Sequence, residues 1–240
     1  MTTQERFQSW LPLFLLALGS VLFIAGGSFH PHVSSGMGTL GSPEFFTHFA
    51  QKIVGTRGWI PMHMLILAGP VIWALAAPSV GQRLPQSGRS VWAIAQTLLM
   101  ISATLWIVTF VLDGLVAPVY ARAVLARGVG GIDPMVLMSF GMNQTLLVRL
   151  GLLSLVMQGF AIVLYSAGLL ISRPVSWRSA VGALGILVGM WPFIAALNGE
   201  FNPGPFISEL WKPTALVTAA WFISLGICLV KPVEGRAVER

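Results

Sequence analysis

Charge is what this sequence has least of. Only 9% of its 240 residues are Asp, Glu, Lys or Arg, against about 25% in a soluble domain. Too few charges remain to cover a water-facing surface. Cysteine is almost absent too. The single Cys228 excludes an internal disulfide and any four-cysteine metal site. Without a Cys-x-x-Cys-His sequence, covalent attachment of a c-type haem is excluded. No Gly-x-x-x-x-Gly-Lys run is present, so nucleotide hydrolysis through a phosphate-binding loop is not expected. The net charge of +6 does not point to nucleic acid, because the basic residues are scattered at helix ends.

What fills the space is apolar. Hydrophobic residues make up 55% of the chain, and several runs approach 20 apolar residues, enough to cross a hydrocarbon core of about 30 Å. The continuity of these runs excludes a porin-like barrel, whose strands alternate. The sequence therefore predicts an all-α integral membrane protein, a single polytopic domain over 1–240. It has six transmembrane helices plus a short interfacial amphipathic helix. The spans are expected at 10–29, 59–77, 91–117, 144–171, 180–197 and 213–230. The first run lacks a small-residue cleavage site, which predicts a retained helix and not a signal peptide.

The interfacial helix is expected over 43–54. Ser42 caps it, Pro43 takes its first position and Glu44 its first turn. Phe45, Phe46, Phe49, Ala50, Ile53 and Val54 share one half of the wheel, and Glu44, Thr47, His48, Gln51 and Lys52 the other. Such a split suits a helix lying flat in the membrane interface. Residues 119–142, with Gly128 to Gly131, are expected as a long loop.

Basic residues give the orientation. With the N-terminus inside, the inner segments hold Arg6, Arg83, Arg89, Arg173, Arg178, Lys231, Arg236 and Arg240. The longer outer segments hold Lys52, Arg57, Arg122, Arg127 and Lys212. The bias predicts a bacterial inner membrane protein with both termini cytoplasmic. Tryptophans near the helix ends (Trp59, Trp92, Trp177, Trp211) read as an aromatic belt. The deeper Trp73, Trp106, Trp191 and Trp221 read as packing.

All four histidines then fall on the outer side. They are His30, His32, His48 and His63. His30 ends the first helix and His63 enters the second, at matching depth on sequential helices. Pro31 and Pro61 stiffen both segments. Neutral imidazoles suit zinc, copper and haem iron. His30 and His63 are therefore the candidate cofactor ligands, with His32 as an alternate or third ligand and His48 the weakest candidate. Haem b, copper and zinc are the candidate cofactors. The alternative is that these are interfacial histidines bonded to backbone or water. No carboxylate completes a first shell nearby in sequence; Glu44 or Asp113 would do so only through the fold. Met62-His63-Met64 is not a copper cluster, since residues flanking a helical position point to different faces. Asp113 and Arg149 are expected to form a structural ion pair between the third and fourth helices, because charges in membrane segments usually pair.

His30-Pro31, Trp59 and His63 carry a resemblance. The first third of the chain resembles a loose group of bacterial six-helix membrane proteins without an assigned activity, with His-Pro ending helix 1 and Trp-x-x-x-His opening helix 2. The resemblance implies the fold and no activity. Three function classes stay open. One is an accessory or redox subunit with a histidine-based metal or haem site near the outer face. Another is a structural or assembly subunit of a larger membrane complex. The third is a small-solute transporter, ranked last because polar groups near mid-membrane are few. The bilayer is the expected surrounding and other membrane subunits the candidate partners; neither nucleic acid nor nucleotide is expected.

Overall fold

The computed structural model describes residues 3–30, 42–84, 86–126, 133–172, 177–201 and 211–230. All of the regular structure in them is helical. The elements are α1 (Thr3–Phe29), α2 (Pro43–Gly55), α3 (Trp59–Gly81), α4 (Arg89–Val111), a π-helical turn (Leu112–Val116), α5 (Ala117–Leu125), α6 (Pro134–Ser172), α7 (Trp177–Phe201) and α8 (Trp211–Val230). Among the described residues, six helices are long and apolar enough to cross a membrane: Gln8–Phe29, Trp59–Gly81, Arg89–Leu125, Pro134–Ile171, Arg178–Asn198 and Lys212–Val230. Large apolar side chains also point outward, among them Phe14, Val21, Leu75, Ile94 and Leu187. A helix apolar all round suits a lipid surrounding, not an aqueous one.

The six long helices close into a ring in chain order. Each packs on its neighbours in sequence, and α8 returns to α1. Glycine sets two of the seams. A Cβ at Gly69 would lie 2.8 Å from the Gly19 carbonyl oxygen, and one at Gly159 would lie 2.5 Å from that of Gly189. The α1–α3 and α6–α7 backbones therefore meet directly, as small residues permit in membranes. Indoles bond the α1–α3, α4–α6 and α7–α8 seams. Trp73 Nε1 donates to the Leu16 carbonyl (3.2 Å), Trp106 Nε1 to Gln158 Oε1 (3.2 Å), Trp191 Nε1 to Thr214 Oγ1 (3.0 Å) and Trp221 Nε1 to the Val181 carbonyl (3.4 Å). The four deep tryptophans are thus interhelical donors as well as packing.

Two expectations change. The loop expected at 119–142 is largely helix: α5 runs to Leu125 and α6 starts at Pro134. Asp133 begins α6, its Oδ1 accepting the Met135 N–H at 2.9 Å, with Pro134 directly after it. The pair is a helix start of the same kind as Ser42-Pro43. Helix α2 begins as expected, with Ser42 Oγ accepting the Phe45 N–H at 3.1 Å. Its apolar face, however, is covered by protein and not presented to lipid. Phe45, Phe49, Ala50 and Ile53 are buried, and α2 packs on α5 and α6. Phe140 of α6 sits within ring contact of Phe46, Phe49 and Tyr120. The three segments form a small aromatic cap at the end of the ring where α1 finishes and α3 begins. Gly58, at φ +83°, makes the turn from α2 into α3 in a conformation that glycine adopts without steric cost.

Candidate metal centre

The site is built around one irregularity. Pro118 lacks an N–H, and its ring clashes with the carbonyl four residues back, that of Gly114. The helix relieves this by widening into the π turn Leu112–Val116, where the Ala117 N–H bonds the Leu112 carbonyl. Five-residue spacing would next pair the Asp113 carbonyl with residue 118, which has no N–H to give. That carbonyl is therefore left over. Trp59, first residue of α3, supplies the missing donor, its Nε1 lying 2.8 Å from the Asp113 carbonyl oxygen. Gly114 lets the turn come close: a Cβ there would lie 2.9 Å from His63 Cβ.

This brings the Asp113 carboxylate onto two histidines. His63 Nε2 lies 3.0 Å from Asp113 Oδ2, and His30 Nε2 lies 3.7 Å from the same oxygen. The imidazoles meet edge to face at a centroid distance of 5.1 Å, and Trp59 lies against both, at 5.8 Å from His30 and 4.7 Å from His63. Ligating atoms of His30, His63 and Asp113 all lie within 4.8 Å of one another. Tetrahedral ligands at 2.0–2.1 Å from zinc stand about 3.3 Å apart, so small side-chain movements suffice to converge on one ion.

The protonation pattern is informative. His63 Nδ1 lies 2.7 Å from the Trp59 carbonyl, four residues earlier in the same helix. A carbonyl only accepts, so Nδ1 carries the hydrogen. In a neutral ring Nε2 is then a bare lone pair, and it faces a carboxylate oxygen. Two acceptors at that distance repel unless a proton or a cation lies between them. A second acceptor, Asp113 Oδ1, is buried without a hydrogen-bond partner among the described residues. His63 is fully buried, whereas the His30 side chain keeps 21% of its surface. The group therefore opens on the His30 side.

The expected site residues divide as follows. His30 and His63 come together, and the carboxylate that joins them is Asp113. Glu44 is exposed on α2. His48 is also exposed on α2 and outside the group of three. His32 lies outside the described residues. The ion pair expected between Asp113 and Arg149 gives way to the histidines. Arg149 is exposed on α6, while among the described residues the ionic contacts of Asp113 are to His30 and His63 and its Oδ1 has no hydrogen bond. The π turn directs Asp113 toward α3. Met62 is core. Phe49 stands at one remove from the histidines: it packs on Trp59 at 6.3 Å, and Trp59 packs on His63. The role of Trp59 was missed because its position suits an aromatic belt. The signal was present as its i, i+4 spacing to His63 and as a proline five residues after Asp113.

Comparison with known proteins gives no match to a family model, a curated protein or a solved structure. The class that fold and site define is an all-helical protein, with six helices able to span a membrane and a His–His–Asp group that could hold a metal ion.

Proposed function

We propose that this is a metal-dependent integral membrane protein, with a divalent ion held by His30, His63 and Asp113 as its working centre. One observation carries the reading: a histidine whose hydrogen is committed to the Trp59 carbonyl presents its other nitrogen to a carboxylate at 3.0 Å. The orphaned Asp113 Oδ1 supports it. Two imidazoles and a carboxylate suit zinc, iron(II) or copper(II). Three protein ligands leave a coordination position for water or a substrate oxygen, as catalytic sites do and structural sites do not. Such an ion supplies Lewis acidity or, if iron or copper, electron transfer. Haem is disfavoured, because a macrocycle between the histidines would need the space that the Asp113 carboxylate fills. The excess of basic residues at the opposite end supports an outer-face position for the centre in a bacterial inner membrane, with both termini cytoplasmic.

Metal analysis of detergent-purified protein, with cobalt(II) as a spectroscopic substitute, tests the reading. One ion per chain is expected, lost in His63→Ala, with tetrahedral cobalt bands in the visible. A metal-free, folded protein that takes up no cobalt rejects the reading. The gap would then hold a proton, and the structural-subunit function would lead.

A further inference from the structure

We infer that Trp59 is the positioning residue of this centre, a role that rests on the metal reading above. The argument is one of unmet backbone demand. The π turn and Pro118 together leave the Asp113 carbonyl without a main-chain donor. A buried carbonyl in that condition costs free energy until something bonds it. The Trp59 indole N–H does so at 2.8 Å, and thereby fixes the backbone that carries the carboxylate ligand. The same residue's carbonyl fixes His63, by holding Nδ1–H at 2.7 Å and turning Nε2 toward Asp113. Its ring packs against both imidazoles. One residue therefore orients Asp113 through its side chain and His63 through its main chain. Outer contacts of this type set ligand orientation and basicity, and their loss typically costs about 10–100-fold in metal affinity.

Trp59→Phe separates the two roles. It keeps an aromatic ring and the carbonyl, so the His63 contact survives, and removes only the indole donor. Cobalt(II) titration of the variant should show affinity lower by about 10–100-fold and shifted visible bands. Trp73→Phe is the control: it removes an indole bond of the same kind, to the Leu16 carbonyl of α1, remote from the ligands. It should lower thermal stability and leave cobalt affinity and spectrum unchanged. Unchanged affinity and bands in Trp59→Phe overturn the inference while the metal reading stands. Equal loss of affinity in both variants also overturns it, since the effect would then be one of general stability. A wild-type protein that binds no cobalt removes the metal reading, and this inference with it. Should Trp59→Phe fail to fold, the unmodified protein decides. With 15N-labelled tryptophan, zinc addition should slow hydrogen exchange of the Trp59 indole N–H, one of nine indoles in the chain. No change at that indole is the overturning result.

Discussion

At the scale of single residues, the centre turns on a conflict between two acceptors. His63 Nε2 and Asp113 Oδ2 face each other at 3.0 Å, and something positive must reconcile them. Asp113→Asn tests this with almost no change of shape. The amide can donate directly to His63 Nε2, and the conflict disappears. The variant should lose its metal and yet stay folded in chelator, its amide bond to His63 contributing about 1 kcal/mol. Metal content and thermal unfolding in chelator are the measurements. Stoichiometric metal in the variant would contradict the assignment. A second residue-scale prediction concerns the α4–α6 seam. Trp106→Phe strands the buried Gln158 acceptor and should cost about 0.6–2 kcal/mol, the range for hydrogen bonds between membrane helices. Replacing Gln158 by Leu in the same chain should restore part of that loss.

At the scale of elements, the π turn Leu112–Val116 has a local price and a distant use. Pro118→Ala returns an N–H and removes the clash with the Gly114 carbonyl, so the α-helical register can run through. The helix should become more stable, since an interior proline costs about 3 kcal/mol. Asp113 should rotate away from His63 and metal affinity should fall. Unfolding and cobalt titration of the one variant are thus expected to move in opposite directions; movement together would show that the turn does not serve the site. Helix α2 offers a simpler test. Ser42→Ala removes the acceptor for the Phe45 N–H and should cost about 1 kcal/mol. The cost should register as faster amide exchange in the cap, with the ring of long helices unaffected.

At the scale of the whole molecule, composition and hydropathy made the fold legible. All six expected spans lie in long apolar helices, because a chain with so few charges has few alternatives. The extra length of α6 was not read, although Asp133-Pro134 carries the same start signal as Ser42-Pro43. The reason is that the glycines at 128, 130 and 131 dominated the reading of that segment. Half of the site was legible: His30 and His63 share a depth, and sequential helices are neighbours. Asp113 was not placed. Its expected partner was chosen by opposite formal charge, and a histidine, counted as uncharged, does not register in that reasoning. The π turn follows from Pro118, yet its consequence for Asp113 needs Trp59 from another helix. Orientation is checked by labelling single cysteines placed at the exposed Gln51 and Ser87 after Cys228 is replaced. The two should react from opposite sides of the membrane.

The order of the ligands along the chain bears on how the protein is made. Residues 30 and 63 precede Asp113, and the helices from α6 onward supply no member of the group. During synthesis the two imidazoles are in place before the carboxylate arrives. An Asp entering a bilayer alone is costly, about 2.5–3.5 kcal/mol at a helix centre on insertion scales; here it meets a waiting partner. The α8–α1 seam that closes the ring can form only once α8 has been made. A ribosome-bound chain whose synthesis stops after α5 has all three residues of the His30–His63–Asp113 group, so it should already retain cobalt(II) in isolated membranes.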